Sequence, residues 1–342
     1  MPHEKSITDN SGIRFADTVR RLSSTGKSDS GVLEGHMTAL SQRTIRQKVS
    51  TEGVGLHSGV HAELTLLPAP PDSGITFVRT DVEPAVEIPA RAEWVVDAAW
   101  ATTLGKGNIR IGTVEHLLAA LVGLGIDNAR IQISGPEVPV MDGSSAPFAA
   151  MIRSAGIELQ RRHKRFLVIR KPVTVTEGDK IARLSPAKRL TVSCTIDFQH
   201  PLISNQRCHL ELSDRVFSKE ICPARTFGFL RDVEALKRAG FAQGGSLQNA
   251  IVIDDFNILN PDGLRYPDEF VRHKVLDAIG DLGLVGMPVI GHFEGHKSGH
   301  SMNHKLVHRV LADPGVHEIL TAGAVDFERL DLPLPVLSPV AA

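Results

Sequence analysis

The stretch Phe270-Val-Arg-His-Lys-Val-Leu-Asp-Ala-Ile-Gly-Asp-Leu282 has the spacing of an amphipathic helix. Its apolar residues recur every three or four positions, which is helical periodicity. His273, Asp277 and Asp281 are each four residues apart, so a helix places them in one column on a single face. An imidazole and a carboxylate one turn apart can bind the same divalent ion. The alternative is an amphipathic helix whose exposed face simply carries charge.

A second predicted helix, from Thr113 to about Leu124, bears on that choice. Thr113 is its candidate N-cap, and Glu115 and His116 follow in the first turn. A histidine in so apolar a helix is often an ordinary core residue. The carboxylate beside it, however, has no apolar role to fill.

The two helices together supply His116, His273 and Asp277, with Glu115 to spare. Two imidazoles, one carboxylate and an open position make a catalytic zinc site. The spare carboxylate is the general base that a water molecule at such a metal needs. The chain contains no H-E-x-x-H motif, which excludes a zincin-type protease.

Histidines recur at every fourth position near the end of the chain, at His292, His296, His300, His304 and His308. Glycines interleave with the first three, so we expect a loop there. The last two can share a helix face, but they lack a carboxylate one turn away, and a second metal site stays an open alternative. The loop with Lys297 and His300 is a reasonable source of the cation or proton donor that a hydrolase needs opposite its base.

Composition is typical of a soluble globular protein, with 42% hydrophobic and 23% charged residues in 342. The net charge of -1 gives no reason to expect a nucleic acid or an acidic membrane as partner. No signal core or run of transmembrane length occurs, so we expect a cytoplasmic protein without a transmembrane segment. Three cysteines without a C-x-x-C motif support neither a disulfide framework nor a thiolate zinc site, and they suit a reducing cytosol.

The chain divides into four predicted regions. Residues 1–42 are interpreted as a flexible polar extension, with regular structure beginning near Gln42. Residues 43–160 and 166–312 are predicted as two α+β domains, separated by the basic run 161–165 as a solvated linker. Residues 313–342 are a tail of uncertain structure. Placing Glu115-His116 over His273-Lys274 also aligns Leu124-Gly-Ile with Leu282-Gly-Leu, which suggests that the two domains are duplicates.

Local patterns predict the elements within these domains. Further helices are expected near 148–155 and 228–238, and residues 240–245 are expected to form a flexible loop. Strands are predicted at 62–67, 75–80, 129–133, 166–169, 173–175, 189–196 and 250–253.

Seven motifs together resemble the UDP-3-O-acyl-N-acetylglucosamine deacetylase family, zinc amidases that commit a sugar nucleotide to lipid A biosynthesis. In chain order they are Gly53-Val-Gly-Leu-His-Ser-Gly, Ile88-Pro-Ala-Arg-Ala-Glu, Thr113-Val-Glu-His-Leu-Leu-Ala-Ala, Val138-Pro-Val-Met-Asp-Gly-Ser, Ala224-Arg-Thr-Phe-Gly-Phe, His273-Lys-Val-Leu-Asp-Ala-Ile-Gly-Asp and Lys297-Ser-Gly-His. The resemblance runs from about residue 43 to about residue 312. It implies an α+β fold of two similar domains, each a β-sheet layered with α-helices, with the active site between them. We expect a monomer.

The resemblance also implies roles for individual residues. His116, His273 and Asp277 match the ligands of one zinc ion per chain, and Glu115 matches the general base. His300 matches the cationic partner or general acid, with Asp281 as the carboxylate that orients it. The groups that match stabilisers of the tetrahedral oxyanion are Thr226 and Lys274.

Seven further residues match positions that contact the substrate. Five of them match general substrate contacts, namely His57, Phe227, Lys297 and the pair Asp197-Phe198, with the pair lying at the uracil. Leu56 and Trp100 fall where the family lines its acyl passage. Trp100 is bulkier than expected there, which leaves the preferred chain length open. Of the five regularly spaced histidines only His300 lies in the pattern, and the other four are interpreted as incidental.

The implied reaction is zinc-dependent hydrolysis of the N-acetyl group of UDP-3-O-(3-hydroxyacyl)-N-acetylglucosamine. Zinc and Glu115 would activate water, and the products would be acetate and the free 2-amino sugar nucleotide. Sequence leaves open whether His300 or Glu115 protonates the departing amine. Two alternatives are a catalytically idle relative that binds the sugar nucleotide, and a zinc amidase that acts on a different N-acetyl sugar.

Overall fold

Two five-stranded sheets with the same strand order frame the protein. In this computed structural model the described residues are 40–322 and Leu332. The predicted class, α+β with two similar sheet-and-helix units, is confirmed. Residues 1–39, most of the predicted extension, lie outside the described residues.

Strands make up most of the regular structure in residues 40–322. In chain order they are β1 Ser41–Ile45, β2 Val49–Val54, β3 His61–Pro68, β4 Ile75–Arg79, β5 Val86–Pro89, β6 Val95–Asp97, β7 Thr103–Lys106, β8 Ile109–Ile111, β9 Ala129–Ile133, β10 Ile157–His163, β11 Arg165–Ile169, β12 Val173–Glu177, β13 Lys180–Ser185, β14 Thr191–Ile196, β15 Gln206–Glu211, β16 Phe227–Phe229, β17 Ile251–Ile253, β18 Val289–Ile290, β19 His292–His296 and β20 His317–Thr321. The α-helices are α1 Glu115–Gly123, α2 Ala146–Ser154, α3 Asp214–Val216, α4 Leu230–Arg238, α5 Glu269–Gly283 and α6 His300–Ala312, with a 3-10 turn at Ala92–Trp94 and a π-helical turn at Phe217–Ile221.

Each large sheet consists of two hairpins with one strand inserted between them. In the first sheet, β9 lies between the hairpins β2–β3 and β4–β5, antiparallel to β3 and parallel to β4. In the second, β19 lies between β12–β13 and β14–β15 with the same two directions. The shared arrangement confirms the duplication that the internal sequence match suggests.

The helix that precedes each inserted strand, α1 or α5, packs against its counterpart at the centre of the molecule. Their apolar residues are almost all buried, as the helical periodicity predicts. Gly280 permits the close approach, because a Cβ atom there would lie 2.2 Å from the carbonyl oxygen of Glu115. The two helices that carry the predicted site are therefore in direct contact.

The basic run at 161–165 is strand and not an irregular linker, although its residues other than Lys164 are exposed as a solvated segment would be. Its residues extend β10 and begin β11, and Lys164 between them is buried. The Lys164 ammonium pairs with Asp127 and donates a 2.9 Å hydrogen bond to the carbonyl of Gly125. A basic residue can be buried where a carboxylate partner from elsewhere in the chain meets it.

The glycine-interleaved histidines at 292 and 296 lie in a central strand, β19, and not in the predicted loop. Close packing explains the glycines: a Cβ atom on Gly291 would lie 2.7 Å from the Ile169 side chain, and one on Gly295 would lie 2.5 Å from Ser298 Oγ. These glycines leave room for neighbouring side chains and do not make the chain flexible. Part of the predicted tail is also a strand, since β20 pairs with β11.

Asp127→Ala should destabilise the fold by about 3–5 kcal/mol, because it leaves the Lys164 ammonium buried without its charge partner. The backbone N–H of Arg43, 2.7 Å from the same carboxylate, would lose its acceptor as well. Urea unfolding monitored by circular dichroism measures the change. Glu177→Ala is the control, because it removes an exposed pair with Lys305 and should change the free energy of unfolding little. Equal effects in the two variants would contradict the expectation.

Candidate active site

The predicted site residues converge where α1, α5 and α6 begin or meet. The first turn of α1 carries Glu115 and His116, α5 carries the column from His273 to Asp281, and α6 begins at His300. Every one of these side chains is buried, with exposed fractions from 0% for Asp281 to 8% for His300. The alternative of a solvent-exposed charged helix face is therefore wrong.

The start of α1 differs from the prediction, because Thr113 is not its N-cap. The helix begins at Glu115, and Thr113 has a φ of 54°, a left-handed conformation that β-branched residues rarely adopt. The Thr113 hydroxyl donates instead to Glu137 Oε1 at 2.6 Å, and the backbone N–H of Val114 donates to the carbonyl of Thr102. These contacts hold the sharp turn that directs Glu115 and His116 into the centre of the protein.

Three predicted ligands form a compact group. One ligand atom from each of His116, His273 and Asp277 lies within 4.8 Å of the others, and the described residues contain no second group of this kind. Asp277 Oδ1 lies 3.3 Å from His273 Nε2 and 3.7 Å from His116 Nε2. Two imidazole nitrogens and one carboxylate oxygen are a donor set suited to a divalent transition metal.

Hydrogen bonding supports the fit of this group to a metal. Asp277 Oδ1 is buried and, within the described part of the chain, has no hydrogen-bond partner. A buried carboxylate oxygen normally has a donor or a metal. His273 Nδ1 lies 3.1 Å from the carbonyl of Ala224, to which it can donate, so its Nε2 is the nitrogen directed at Asp277.

Electrostatics keeps the three residues in the protonation states that metal binding requires. Burial, reinforced by the neighbouring His273, lowers the pKa of His116 to about 3. Burial also lowers the pKa of His273. For Asp277 burial acts in the opposite direction, but the interaction with the His273 ring and the charge of Lys274 hold its pKa below the usual range. Neutral imidazoles and an ionised carboxylate are the metal-binding forms.

Glu115 and His300 face each other beside this group. His300 Nε2 lies 3.7 Å from Glu115 Oε1 and 3.9 Å from Asp277 Oδ2. Burial raises the pKa of Glu115 to about 7, although the charge of His300 opposes the rise. Burial acts to lower the pKa of His300, but the Asp281 and Glu115 carboxylates raise it to about 9. Near neutral pH the pair can therefore offer a proton acceptor and a proton donor.

Asp281 is the centre of a buried hydrogen-bond network. Its Oδ2 lies 2.9 Å from His300 Nδ1 and accepts a 2.9 Å bond from Asn303. Its Oδ1 accepts a 2.7 Å bond from the Thr102 hydroxyl, and His304 Nε2 lies 3.4 Å away. His304, interpreted from the sequence as incidental, is therefore buried against the predicted site.

Of the two predicted oxyanion groups, Lys274 contacts the ligand group directly, and Thr226 belongs to the chain segment that packs against His273. Lys274 Nζ donates a 2.7 Å bond to Asp277 Oδ2. Burial acts to lower the pKa of Lys274, but the Asp277 carboxylate raises it, so the ammonium stays charged. Thr226 lies between Ala224, whose carbonyl faces His273, and Phe227, whose ring centroid is 6.4 Å from that of His273.

Aromatic side chains connect this end of the column to the predicted nucleotide contacts. The Phe227 ring lies 5.8 Å from Phe198, the neighbour of Asp197. Asp197 pairs with Lys297 at 3.1 Å, and Lys297 also bonds Asp179. Four of the predicted substrate contacts therefore lie along one continuous surface.

The remaining predicted contacts lie together around a different cavity. His57 and Trp100 line about 210 Å³ of space together with Thr113, Glu137 and Phe241. The His57 ring lies 5.5 Å from Phe241, and the Trp100 ring lies 6.1 Å from it. The carbonyl of Leu56 accepts from Gly244 in the facing loop 240–245, which the structure places beside the loop that carries His57.

Sequence reasoning missed the residue that anchors this cavity. Glu137 accepts bonds from the backbone N–H groups of His57 and Ser58 and from the Thr113 hydroxyl. Burial lowers the pKa of His57, while Glu137 opposes the change. The cavity is adjacent to the predicted metal group, because its lining residue Ala101 precedes Thr102, whose N–H donates to Glu115.

A further cavity of about 280 Å³ is lined by later turns of α1 and α5 and by β11. None of the predicted site residues lines it. None of the helices among the described residues has the length and apolar character to cross a membrane.

Comparison with known proteins agrees with the resemblance read from the motifs. Residues 42–312 match the family described as UDP-3-O-acyl N-acetylglycosamine deacetylase. A protein of Myxococcus xanthus (strain DK1622) named UDP-3-O-acyl-N-acetylglucosamine deacetylase is 59% identical over 295 residues, which cover 86% of this chain and 94% of the relative. Relatives with the same name from Anaeromyxobacter sp. (strain Fw109-5) and Hahella chejuensis (strain KCTC 2396) are 55% and 51% identical, covering 89% of this chain and 98% and 100% of their own lengths.

Proposed function

The chain belongs to the UDP-3-O-acyl N-acetylglycosamine deacetylase family, and from this premise we propose that it is a zinc-dependent hydrolase of UDP-3-O-(3-hydroxyacyl)-N-acetylglucosamine. It removes the N-acetyl group and releases acetate and the free 2-amino sugar nucleotide, the committed step of lipid A biosynthesis. Three free cysteines suit a reducing cytoplasm, where we place the enzyme as a monomer.

One observation carries the proposal. The group His116, His273 and Asp277 presents an unpartnered buried carboxylate oxygen between two imidazoles, with Glu115 and His300 directly beside it. A bound zinc ion would polarise the acetamide carbonyl and make a water molecule more acidic. A binding protein without turnover has no need for a general base and a proton donor held next to such a group.

The residues around the group divide the remaining chemistry. Glu115 accepts the proton of the attacking water, and its pKa near 7 suits that task at neutral pH. Lys274 and Thr226 stabilise the charge that develops on the carbonyl oxygen. His300, held by Asp281 with a pKa near 9, stabilises that charge and gives a proton to the departing amine.

The two ends of the substrate contact the two surfaces that extend from the site. The nucleotide lies along Phe227, Phe198 and Asp197, with Lys297 beside them. The 3-O-acyl chain enters the cavity lined by His57 and Trp100, next to Leu56. Trp100 is 55% exposed at this cavity, so its indole can contact a chain that passes it.

Acetate release tests the proposal against its two alternatives. The 3-O-acylated sugar nucleotide should release acetate, and the same nucleotide without its 3-O-acyl chain should react much more slowly. Tight binding of the acylated nucleotide without acetate release would identify an idle relative. Equal rates for the two nucleotides would indicate an amidase for a different N-acetyl sugar.

The proposed acid and base predict a bell-shaped dependence of activity on pH. Glu115 acts when deprotonated, so activity rises through an acidic limb at or below about pH 7; His300 acts when protonated, so activity falls through a basic limb near pH 9. His300→Gln keeps a hydrogen-bond donor but removes the titrating cation. Its turnover should be slower and its basic limb lost or shifted, with metal content intact.

The pH profile of kcat for the wild type and for His300→Gln measures this effect. His308→Gln on the exposed side of the same helix is the control and should keep the wild-type profile. A basic limb that is unchanged in His300→Gln would assign the donation of the proton to Glu115 and leave His300 as a fixed electrostatic contact.

A further inference from the structure

We infer that Thr102 and His304 are positioning residues for the reaction: they fix the Asp281 carboxylate, and through it the His300 imidazole, relative to the general base Glu115. The inference rests on the proposed function, since it concerns the acid and base of that reaction. Neither residue belongs to the predicted site, and both are buried, Thr102 completely.

Thr102 joins the two halves of the acid–base pair. Its backbone N–H donates a 3.0 Å bond to Glu115 Oε2, and its hydroxyl donates a 2.7 Å bond to Asp281 Oδ1. Its carbonyl accepts from the N–H of Val114, which sets the start of α1. A single residue therefore contacts the base and the carboxylate that orients the acid.

The direction of these bonds assigns a role to His304. The only hydrogen of the Thr102 hydroxyl goes to Asp281, so the 2.9 Å contact between Thr102 Oγ1 and His304 Nε2 requires a hydrogen on Nε2. His304 thus donates to the hydroxyl and fixes its rotamer. The order of donors is His304 to Thr102 to Asp281, and each link is buried.

Asp281 in turn contacts His300 through only one of its two carboxylate oxygens, Oδ2. Its Oδ2 takes His300 Nδ1 and Asn303, while Thr102 occupies Oδ1. The carboxylate plane is therefore set by donors on both oxygens. If the Oδ1 donor is lost, the carboxylate can rotate, and His300 Nε2 can move from its position 3.7 Å from Glu115 Oε1. Misplacement of a catalytic group by about 1 Å can cost about a hundredfold in rate.

Paired substitutions isolate each link. Thr102→Val removes the hydroxyl, keeps the shape and keeps the backbone bond to Glu115, whereas Thr102→Ser restores a hydroxyl. His304→Leu removes the Nε2 donor, whereas His304→Gln places an amide N–H at a similar distance. His308→Gln, one turn further along α6 and exposed, is the matched control.

We expect Thr102→Val to lower kcat about tenfold to a hundredfold with little change in KM, as loss of positioning in the transition state should. Thr102→Ser and His304→Gln should recover most of the turnover, and metal content should stay at the wild-type level in all variants. The double variant Thr102→Val/His304→Leu should lose less turnover than the product of the two single effects, because both residues act on the same Asp281 oxygen.

A measurement without turnover separates this inference from the proposed function. In metal-loaded enzyme, the imidazole N–H proton of His300 bound to Asp281 can be observed by NMR and assigned by its absence in His300→Gln. In Thr102→Val and His304→Leu this resonance should shift and exchange faster with water. Wild-type enzyme that releases no acetate would overturn the proposed function. The His300 resonance would still show whether Thr102 and His304 fix the position of His300.

Unchanged kcat and an unchanged His300 resonance in Thr102→Val would overturn the inference. So would a loss of kcat that Thr102→Ser does not recover, because that pattern indicates packing and not the hydroxyl. If Thr102→Val does not fold, the comparison of His304→Leu with His304→Gln gives the same decision, and equal turnover and equal resonances in those two variants would contradict it.

Discussion

Asp277→Ala should lose both the tightly held metal and the activity. The substitution removes the one carboxylate of the ligand group, whose Oδ1 lies between the Nε2 atoms of His116 and His273. Two imidazoles alone leave a zinc ion with too few protein ligands. Elemental analysis of the purified variant should give well under one zinc per chain, and acetate release should fall to background.

Two comparisons make this result specific. His116→Ala and His273→Ala should behave in the same way, since each removes one ligand. A variant with His304→Ala and His308→Ala should retain its zinc, because neither side chain belongs to the ligand group. Full zinc content in Asp277→Ala would show that the ligand set is wrong.

Glu115→Ala should separate the base from the ligands. Glu115 lies in the same helical turn as His116, but its carboxylate does not belong to the ligand group. It accepts a hydrogen bond from the N–H of Thr102 and faces His300. Removal of a general base typically costs on the order of a hundredfold or more in turnover. We therefore expect a loss of that size in kcat with one zinc per chain retained.

Glu115→Gln is the shape-matched companion of that variant. The amide can still accept from Thr102 but cannot take a proton from water, so its turnover should be as low as that of the alanine variant. Near-normal turnover in either variant, measured as acetate release at saturating substrate, would sink the proposed mechanism.

Helical periodicity predicted the central part of the site from the sequence. The column His273, Asp277 and Asp281 lies on one face of α5 because residues four apart stack on a helix. The apolar pattern after Thr113 likewise placed Glu115 and His116 in the first turn of a second helix, α1. Residue spacing predicts these positions correctly because the residues concerned lie on one helix, or on two helices of similar pattern.

Long-range contacts explain what the sequence did not indicate. Thr102 reaches Asp281 and His304 across 179 and 202 positions of the chain, and no spacing rule connects them. Thr113 has the residue type of an N-cap, but a tertiary bond to Glu137 draws its side chain away from the helix. In each case a contact between distant residues overrides the local pattern.

The same limit applies to charge and glycine patterns. A short basic run usually indicates a solvated segment, yet Lys164 is buried against Asp127, 37 positions away. Glycines between the histidines of β19 indicate a loop, yet they reflect space taken by neighbouring side chains. A charged residue or a glycine in the sequence shows only what a position tolerates. The packing of other elements determines whether that position is buried, exposed, strand or loop.

Titration of metal-free protein with zinc tests the central claim most directly. The protein is stripped with a chelator, and acetate release from the 3-O-acylated sugar nucleotide is measured together with bound zinc after each addition. We predict that activity is absent at the start, rises in proportion to bound zinc and reaches its plateau at one equivalent per chain. Full activity in the metal-free protein, or no activity with one zinc bound, would contradict the account.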